Sequence, residues 1–273
     1  MRRRNQVSTY LTIVVLGSIL MVPIAWMISI AFRSNPDVFS MPLQLIPEHP
    51  TLDAFRTVFG NKSLLRLFVN SYIVALSVTA ICILFASLAG YGFTRFKFKG
   101  KNGALIYILL TQMFPMVLLS IPYFLFITSV GLYNTYIALI LAYTSFSLPF
   151  SIMMMRDFIA TIPKEMDEAA TIDGCGPFKT FFLIILPPSL PGLIATGVYT
   201  FILAWNEFLF AVVLTNSVNV RPLTIGIGML IGEFATEWNA LMALSFMASV
   251  PLILVFLFLQ KYFLQGLTAG SVK

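Results

Sequence analysis

Residues 162–192 read IPKEMDEAATIDGCGPFKTFFLIILPPSLPG, and the fold turns on how this stretch is interpreted. Elementary helix chemistry divides it in two. Thr161 stands where an N-cap is needed and Pro163 suits a first helical turn. Glu165, Asp167 and Glu168 place negative charge at the positive end of the helix dipole. Ala169 and Ala170 are strong helix formers, small enough to let another surface approach closely. Gly174 and Gly176 are expected to end the helix by supplying positive φ. A second, more apolar helix is expected over Pro177–Ile185, stopped by Pro187, Pro188 and Pro191. A short helix of small residues flanked by acids is shaped to plug a groove with basic edges. The alternative is an amphipathic helix lying on a membrane surface.

The sequence around this stretch is too apolar for water. Of 273 residues, 59% are hydrophobic and 10% charged, with a mean hydropathy of +0.91. Soluble domains run near 45–50% apolar and about 25% charged, so lipid must solvate much of this surface. Six apolar segments reach the roughly 20 residues that a bilayer requires: near Tyr10–Phe32, Leu67–Phe93, Ala104–Ile127, Tyr136–Met155, Gly192–Leu214 and Leu241–Phe263. The first follows MRRR as a signal peptide would. Its apolar run is too long for one, and no small-x-small cleavage site follows, so it is read as an uncleaved helix. The expectation is an all-α membrane protein, one transmembrane domain over residues 1–273, with the quoted stretch inside a cytoplasmic loop, 156–191, between the fourth and fifth spans.

Lys/Arg bias orients the spans. Arg2, Arg3 and Arg4, the run Arg95, Lys97, Lys99 and Lys101, and Lys261 and Lys273 place both termini in the cytoplasm, their basic groups facing anionic lipid. Gly131–Asn134 and Ser217–Glu237 fall outside. So does the segment 33–66, despite Arg33, Arg56, Lys62 and Arg66. Loop 156–191 breaks the rule differently, with acids Asp157, Glu165, Asp167, Glu168 and Asp173 against Arg156, Lys164 and Lys179. A protein partner is the natural reason.

Other chemistry is scarce. The net charge of +6 sits in short runs beside apolar spans and makes no nucleic-acid patch with interleaved aromatics. Cys82 and Cys175 occupy different environments and form neither a disulfide framework nor a metal site. His49 lies alone in a Pro-rich loop, whereas a metal site needs three or four donors. The sequon Asn61-Lys62-Ser63 reads as accidental. Gly174–Thr180 lacks the Gly before Lys that a phosphate cradle requires, and Gly226, Gly228 and Gly232 miss the dinucleotide spacing by one residue. Nucleotide must be handled by another chain.

The quoted loop resembles the EAA motif of ABC-importer permeases: Glu-Ala-Ala, three residues, Gly, nine residues, then Ile-x-Leu-Pro. Glu168-Ala169-Ala170, Gly174 and Ile184-Ile185-Leu186-Pro187 stand at that spacing between the expected spans. The resemblance implies a type I importer permease fold in which the short helix, with Asp173 beside the Gly174 bend, couples to an ATP-binding subunit. Glu168 would meet a basic residue there. It implies a dimer of ATP-binding subunits that hold ATP and Mg, a second homologous permease, a solute-binding protein outside, and a prokaryotic inner membrane. No cofactor is expected on this chain. Further stretches resemble the shorter permease of maltose-type carbohydrate importers: Val69-Asn70-Ser71, Gly90–Phe96, Ala204-Trp205-Asn206-Glu207-Phe208 and Gln265–Lys273. Cys175 departs from the common Ala, and a small thiol should fit there. The implied mechanism is alternating access, with this chain supplying coupling and half of a pathway but no catalysis.

For the solute path the residues suggest candidates only. An ionisable group inside a span costs about 2.5–3.5 kcal/mol on insertion scales and is usually functional. Glu207 is the one acid well inside an expected span, beside Asn206 and Trp205. It can bond a polyhydroxylated solute, or it can fix helix packing without touching solute. Gln112, Asn70 and Ser71 are weaker candidates. The 219–237 segment can be a re-entrant or interfacial element, or a loop reaching the binding protein. Ala86, Ala89, Gly90 and Gly92 suit close packing against a partner permease or within this chain. A secondary transporter would show matched repeats and paired intramembrane charges, and a membrane enzyme a His, Asp, Glu, Ser or Cys cluster. The sequence carries neither. The EAA loop does not distinguish a sugar from an amino acid, polyamine or phosphate.

Overall fold

The computed structural model describes residues 2–42, 44–231 and 236–268, with side chains placed for 9–42, 44–231 and 236–261. Gly232, the middle of the 219–237 segment, the side chains of Arg2–Arg4 and the end of the Gln265–Lys273 stretch lie outside those residues. The helices are α1 (Arg2–Ala31), α2 (Asp53–Gly60), α3 (Lys62–Arg95), α4 (Lys101–Met113), α5 (Met116–Ser129), α6 (Tyr136–Ala160), α7 (Glu165–Ile172), α8 (Pro177–Thr180), α9 (Leu190–Asn206), α10 (Leu209–Leu214), α11 (Leu223–Met229) and α12 (Trp238–Thr268). One turn of 3₁₀-helix covers Pro36–Phe39, and a π-helical turn, Phe181–Ile185, continues α8.

Four helices, α1, α3, α6 and α12, are long and apolar enough to cross a bilayer unaided. Two bent pairs bring the total among the described residues to six when each pair is counted as one span. The expected third span, Ala104–Ile127, is therefore not straight: α4 and α5 meet at 98°. Pro115 has no N–H to continue the helix and drives Phe114 extended, at ψ 125. The expected fifth span, Gly192–Leu214, begins two residues early as α9 and breaks at Glu207, whose ψ is 132. Pro177–Ile185 turns into α9 at 87°, across Pro187 and Pro188. Pro23, Pro149 and Pro251 are absorbed inside α1, α6 and α12.

The chain divides into two compact units, Met1–Leu65 with Gly226–Val250, and Arg66–Ile225 with Pro251–Lys273. In the first unit, Ala31, Ala54 and Ala243 pack together with Phe55 and Met242. The apolar residues of α1 from Tyr10 to Val22 stay exposed. Here one cation of the 33–66 segment, which the sequence reading places outside against the Lys/Arg bias, is accounted for. Arg33 is buried, donating to the Ser29 hydroxyl at 3.2 Å and to the Gln44 carbonyl, with its guanidinium 5.5 Å from the Trp26 ring. It is a structural cross-link and does not face lipid. Arg56 pairs with Asp53 on the surface at 3.2 Å. Asn61 of the sequon caps α3, accepting the Ser63 and Leu64 amides at 3.0 and 3.3 Å.

In the second unit a core forms from Ala86, Tyr91, Ile152, Met155, Ile159, Ile162, Phe181 and Ile185. Small residues let the helices close on one another. A Cβ on Gly90 would lie 2.8 Å from the Arg156 nitrogen, so α3 touches the backbone of α6. Ala86 is likewise consumed inside this chain, whereas Gly92 has nothing within 4 Å. Along the α6–α9 seam, Ser147, Ser151, Thr196 and Thr200 are all buried. The Ser151 and Thr200 hydroxyls lie 3.1 Å apart, and each is also within donating distance of its own helix, at the carbonyls of Ser147 and Thr196, so the single proton of each is shared between the seam and the backbone. Such small polar residues are typical glue between apolar helices.

Candidate coupling surface and solute cavity

The acidic loop folds as a short helix with a defined end. Glu165, Asp167 and Glu168 occupy the first turn of α7. Thr161 does not cap it. The N-cap is Lys164, and the Thr161 hydroxyl instead donates to the Phe158 carbonyl at 2.7 Å while its residue closes α6. The break at Pro163 therefore belongs to the link between the helices. At the other end Gly174 takes φ +79. The Cys175 amide reaches back to the Ala170 carbonyl at 2.9 Å, and the Gly174 amide to Thr171 at 3.0 Å. This is a Schellman closure, which requires a left-handed residue at the glycine. Gly176, at φ −73, is ordinary extended backbone and supplies no positive φ.

Helical periodicity then sorts the side chains. Met166 and Ala170, one turn apart, face inward, Met166 packing on the core and Ala170 being buried. Glu165, Glu168, Ala169, Ile172 and Asp173 face out. Ile172 is 87% exposed and Phe178, beyond the turn, is 75% exposed. Two large apolar side chains so exposed beside a carboxylate make this face a candidate docking surface. Of the residues singled out from the motif, Glu168, Ala169, Asp173, Gly174 and Pro187 lie on the surface. Ala170, Ile184 and Leu186 instead turn into the protein, the last two against the core. Their part is to hold the platform.

The helix is tied down by residues that sequence reasoning assigned elsewhere. Arg95, expected as a lipid-facing anchor, forms a 2.8 Å ion pair through Nε with Asp167, with side-chain exposures of 6% and 18%. Its NH2 group donates to the Ile162 carbonyl at 2.8 Å. The Tyr91 hydroxyl donates to the second Asp167 oxygen at 3.0 Å. A guanidinium this close to a carboxylate, with both side chains mostly withdrawn from the surface, is held by charge attraction inside the protein and is not turned to lipid headgroups. Of its neighbours, Lys97 and Lys99 stay on the surface, and the Lys101 ammonium donates to the Phe96 carbonyl at 3.4 Å.

Deeper in the same unit, the break between α9 and α10 opens a cavity of about 310 Å³. Tyr143, Phe146 and Ser147 of α6 line it, with Asn206, Glu207 and Phe208 at the break and Met116 at the start of α5. The Glu207 carboxylate accepts the amides of Phe210 at 2.8 Å and Ala211 at 3.1 Å, and the Glu207 carbonyl receives the Thr224 hydroxyl at 2.8 Å. The acid therefore satisfies the orphan donors of α10, while its residue still borders the cavity. Asn206 and Glu207 come together here. Gln112 stands exposed on α4 near the bend and is not among the cavity's walls. Trp205 is buried, against Tyr72 at 4.8 Å and Phe201 at 5.5 Å.

Asn70 also lies away from this cavity. It is fully buried, its amide donating to the Val218 and Arg221 carbonyls at 2.9 and 2.8 Å and its oxygen accepting from Tyr136 at 2.6 Å. The Ser71 hydroxyl accepts the Leu223 amide at 2.7 Å. Asn134, at φ 60, adds a parallel stitch, accepting the Asn216 and Ser217 amides at 3.0 and 3.1 Å. Two loops expected on the same outer side, 131–134 and the start of 217–237, are thus joined.

Fold and site together define a polytopic all-helical membrane subunit with a short, exposed acidic helix, α7, between its fourth and fifth apolar spans. Residues 82–269 match the family described as binding-protein-dependent transport system inner membrane component, and the chain belongs to that family. It is 36% identical over 269 residues to the trehalose/maltose transport system permease protein MalG of Thermococcus litoralis, covering 96% of each chain. It is 37% identical over 255 residues to the probable ABC transporter permease protein YurM of Bacillus subtilis, covering 92% of this chain and 83% of the relative. Its fold is that of a chain from a bacterial ABC transporter involved in alginate import, with a TM-score of 0.82 at 21% identity, over 96% of this chain and 98% of that one. The protein is a non-catalytic inner-membrane permease subunit of an ATP-driven importer, of a class served by a solute-binding protein and an ATP-binding subunit.

Proposed function

We propose that this chain forms half of the translocation pathway for a sugar or oligosaccharide, the other half coming from a second, homologous permease. The single observation that carries the reading is the outward face of α7, where Glu168, Ala169 and the strongly exposed Ile172 precede a glycine-closed turn and Phe178 follows it. A pair of ATP-binding subunits, which hold the ATP and Mg, receives this face. A solute-binding protein delivers cargo on the opposite side. Both termini are cytoplasmic, and the whole chain works as one permease domain. The carbohydrate assignment rests on the relatives, MalG among them being named for trehalose and maltose. The cavity bordered by Asn206 and Glu207 supports a polar stretch of path, because it places hydrogen-bonding groups at a helix break among aromatic rings that suit a sugar face. ATP binding shifts the population between inward- and outward-open states only through contacts that differ between them, and α7 is the contact available on this chain.

The test is co-purification of the tagged chain with its chromosomal neighbours, for the unaltered protein and for Glu168→Lys and Gly174→Asp. Stoichiometric recovery of an ATP-binding subunit, lost or uncoupled in both variants, is expected. A chain that purifies alone and moves solute in liposomes without ATP overturns the reading. Uptake of radiolabelled trehalose and maltose into proteoliposomes carrying the whole complex then checks the cargo class.

A further inference from the structure

The docking helix is attached to the rest of the chain in an uneven way. On its C-terminal side the path to α9 runs through the Gly174 turn, the four-residue α8, a π-helical turn and the 87° bend at Pro187-Pro188. Phe181 and Ile185 on this path sit in the same apolar core as Tyr91, but among the described residues no side-chain hydrogen bond or ion pair joins α7 to the path. On its N-terminal side, Arg95 holds both the Ile162 carbonyl and Asp167, and Tyr91 holds the other oxygen of the same carboxylate. These two donors lie one helical turn apart at the end of α3. That end is itself seated on α6: Gly90 abuts the backbone at Met155 and Arg156, and the Thr94 hydroxyl reaches the Arg156 carbonyl at 3.2 Å. The Tyr91 ring completes the seat against Phe181 at 5.2 Å.

We propose that Asp167 is a positioning residue that makes α7 and the cytoplasmic ends of α3 and α6 move as one body, so that displacement of the docking helix enters the membrane through α3 and α6 ahead of α9. The inference rests on the proposed docking of α7 to an ATP-binding subunit. Apolar contacts such as Met166 and Ala170 can slide over their neighbours, because dispersion and hydrophobic burial have no direction. A largely buried carboxylate resists this, because one oxygen accepts from Tyr91 and the other lies against the Arg95 guanidinium, and a shift separates the charge from its partner. Asp167 points away from the outward face, so its task differs from that of Glu168: one residue receives the partner and the other transmits the push.

The experiment uses the complete complex, this chain with its co-purified second permease and ATP-binding subunits, in lipid nanodiscs. Nitroxide labels are placed at Thr171→Cys on α7 and Lys97→Cys beyond α3, both exposed, in a background of Cys82→Ala and Cys175→Ala. Pulsed electron spin resonance then reads the distance without nucleotide and after trapping with ATP and vanadate. The expected result is one narrow distance, unchanged by trapping, for Asp167 and for Asp167→Glu. For Asp167→Asn the distance broadens and shifts on trapping, while the ATP-binding subunit still co-purifies. Tyr91→Phe, which leaves the ion pair in place, gives a smaller broadening and guards against a folding defect in the first variant. Arg95→Gln combined with Asp167→Asn is expected to be no worse than either alone, as for two halves of one interaction. A distance that changes on trapping in the unaltered complex, or that stays narrow in Asp167→Asn, overturns the proposal, as does an additive double variant. Failure of the unaltered chain to retain an ATP-binding subunit is a distinct result, which removes the docking reading itself.

Discussion

The Glu207 carboxylate accepts the backbone amide of Phe210 at 2.8 Å. An acid that the sequence places inside a span is therefore engaged with the start of a broken helix, at a cavity lined by aromatic rings. Losing a side-chain cap costs about 1–2 kcal/mol, and each buried amide left without an acceptor adds about 1–3 kcal/mol. Glu207→Ala is expected to lower the thermal unfolding midpoint in detergent clearly, whereas Glu207→Gln keeps a carbonyl acceptor and loses less than half as much. If the two variants melt together at the unaltered temperature, the cap is not what holds this break.

Gly90 and Gly92 are two residues apart on α3 and have opposite surroundings. A methyl group at Gly90 would strike the α6 backbone at 2.8–2.9 Å, where no side chain can rotate away. Gly90→Ala is expected to destabilise the protein by about 1–3 kcal/mol through overpacking. Gly92→Ala meets nothing within 4 Å and should be neutral or stabilising by up to about 1 kcal/mol, as a helical glycine replaced without a clash. Thermal melts of the two purified variants check the contrast, and equal melting points would argue against the close α3–α6 contact.

The turn after the docking helix separates two other glycines. Gly174 sits at φ +79 and Gly176 at φ −73. Gly174→Ala should cost about 1–2 kcal/mol for forcing a Cβ into the left-handed region, with Gly174→Asn milder. Gly176→Ala should be tolerated. Recovery of the ATP-binding subunit with each variant is the measurement. The prediction fails if Gly176→Ala disrupts assembly as strongly as Gly174→Ala.

Asn70 closes three hydrogen bonds between α3, Tyr136 and the 218–221 turn. Asn70→Ala leaves at least two carbonyls without their donor, at about 1–3 kcal/mol for each that stays buried. Hydrogen exchange by mass spectrometry should show faster exchange across residues 214–225 in this variant, with α7 unaffected. Unchanged exchange there would mean that the turn is held by other contacts.

Much of the molecule is legible in the sequence because its punctuation is local. The adjacent pair Pro187-Pro188 removes two successive helix donors and marks a break, and Gly174 can adopt φ +79 in any context. Six apolar segments of bilayer length need no tertiary knowledge to be read as membrane-embedded. The bends were less legible. Pro115 breaks α4 from α5 by 98°, yet Pro23, Pro149 and Pro251 are carried within continuous helices. Whether a proline kinks, breaks or is tolerated depends on which neighbours satisfy the freed carbonyls, and those neighbours are distant in sequence.

The amino-acid sequence by itself determined the solvent of this protein, its helical class, the short acidic helix with its glycine end, and the family to which it belongs. These follow from composition, from residue-specific φ and ψ preferences and from motif spacing, all of which act within a few residues. Only the tertiary structure decided the fate of individual polar groups. Arg95 reads as a lipid-facing anchor and Arg33 as an exception to the charge bias in an outer segment, but one is paired with Asp167 and the other buried between Ser29 and the Gln44 carbonyl. Ala170 and Ala169 are adjacent letters of one motif, yet one is buried and the other faces outward. The reason is physical: a charge or a donor in a poorly solvated site takes whichever partner the packing brings within 3 Å, and packing between helices distant along the chain is not written at any single position.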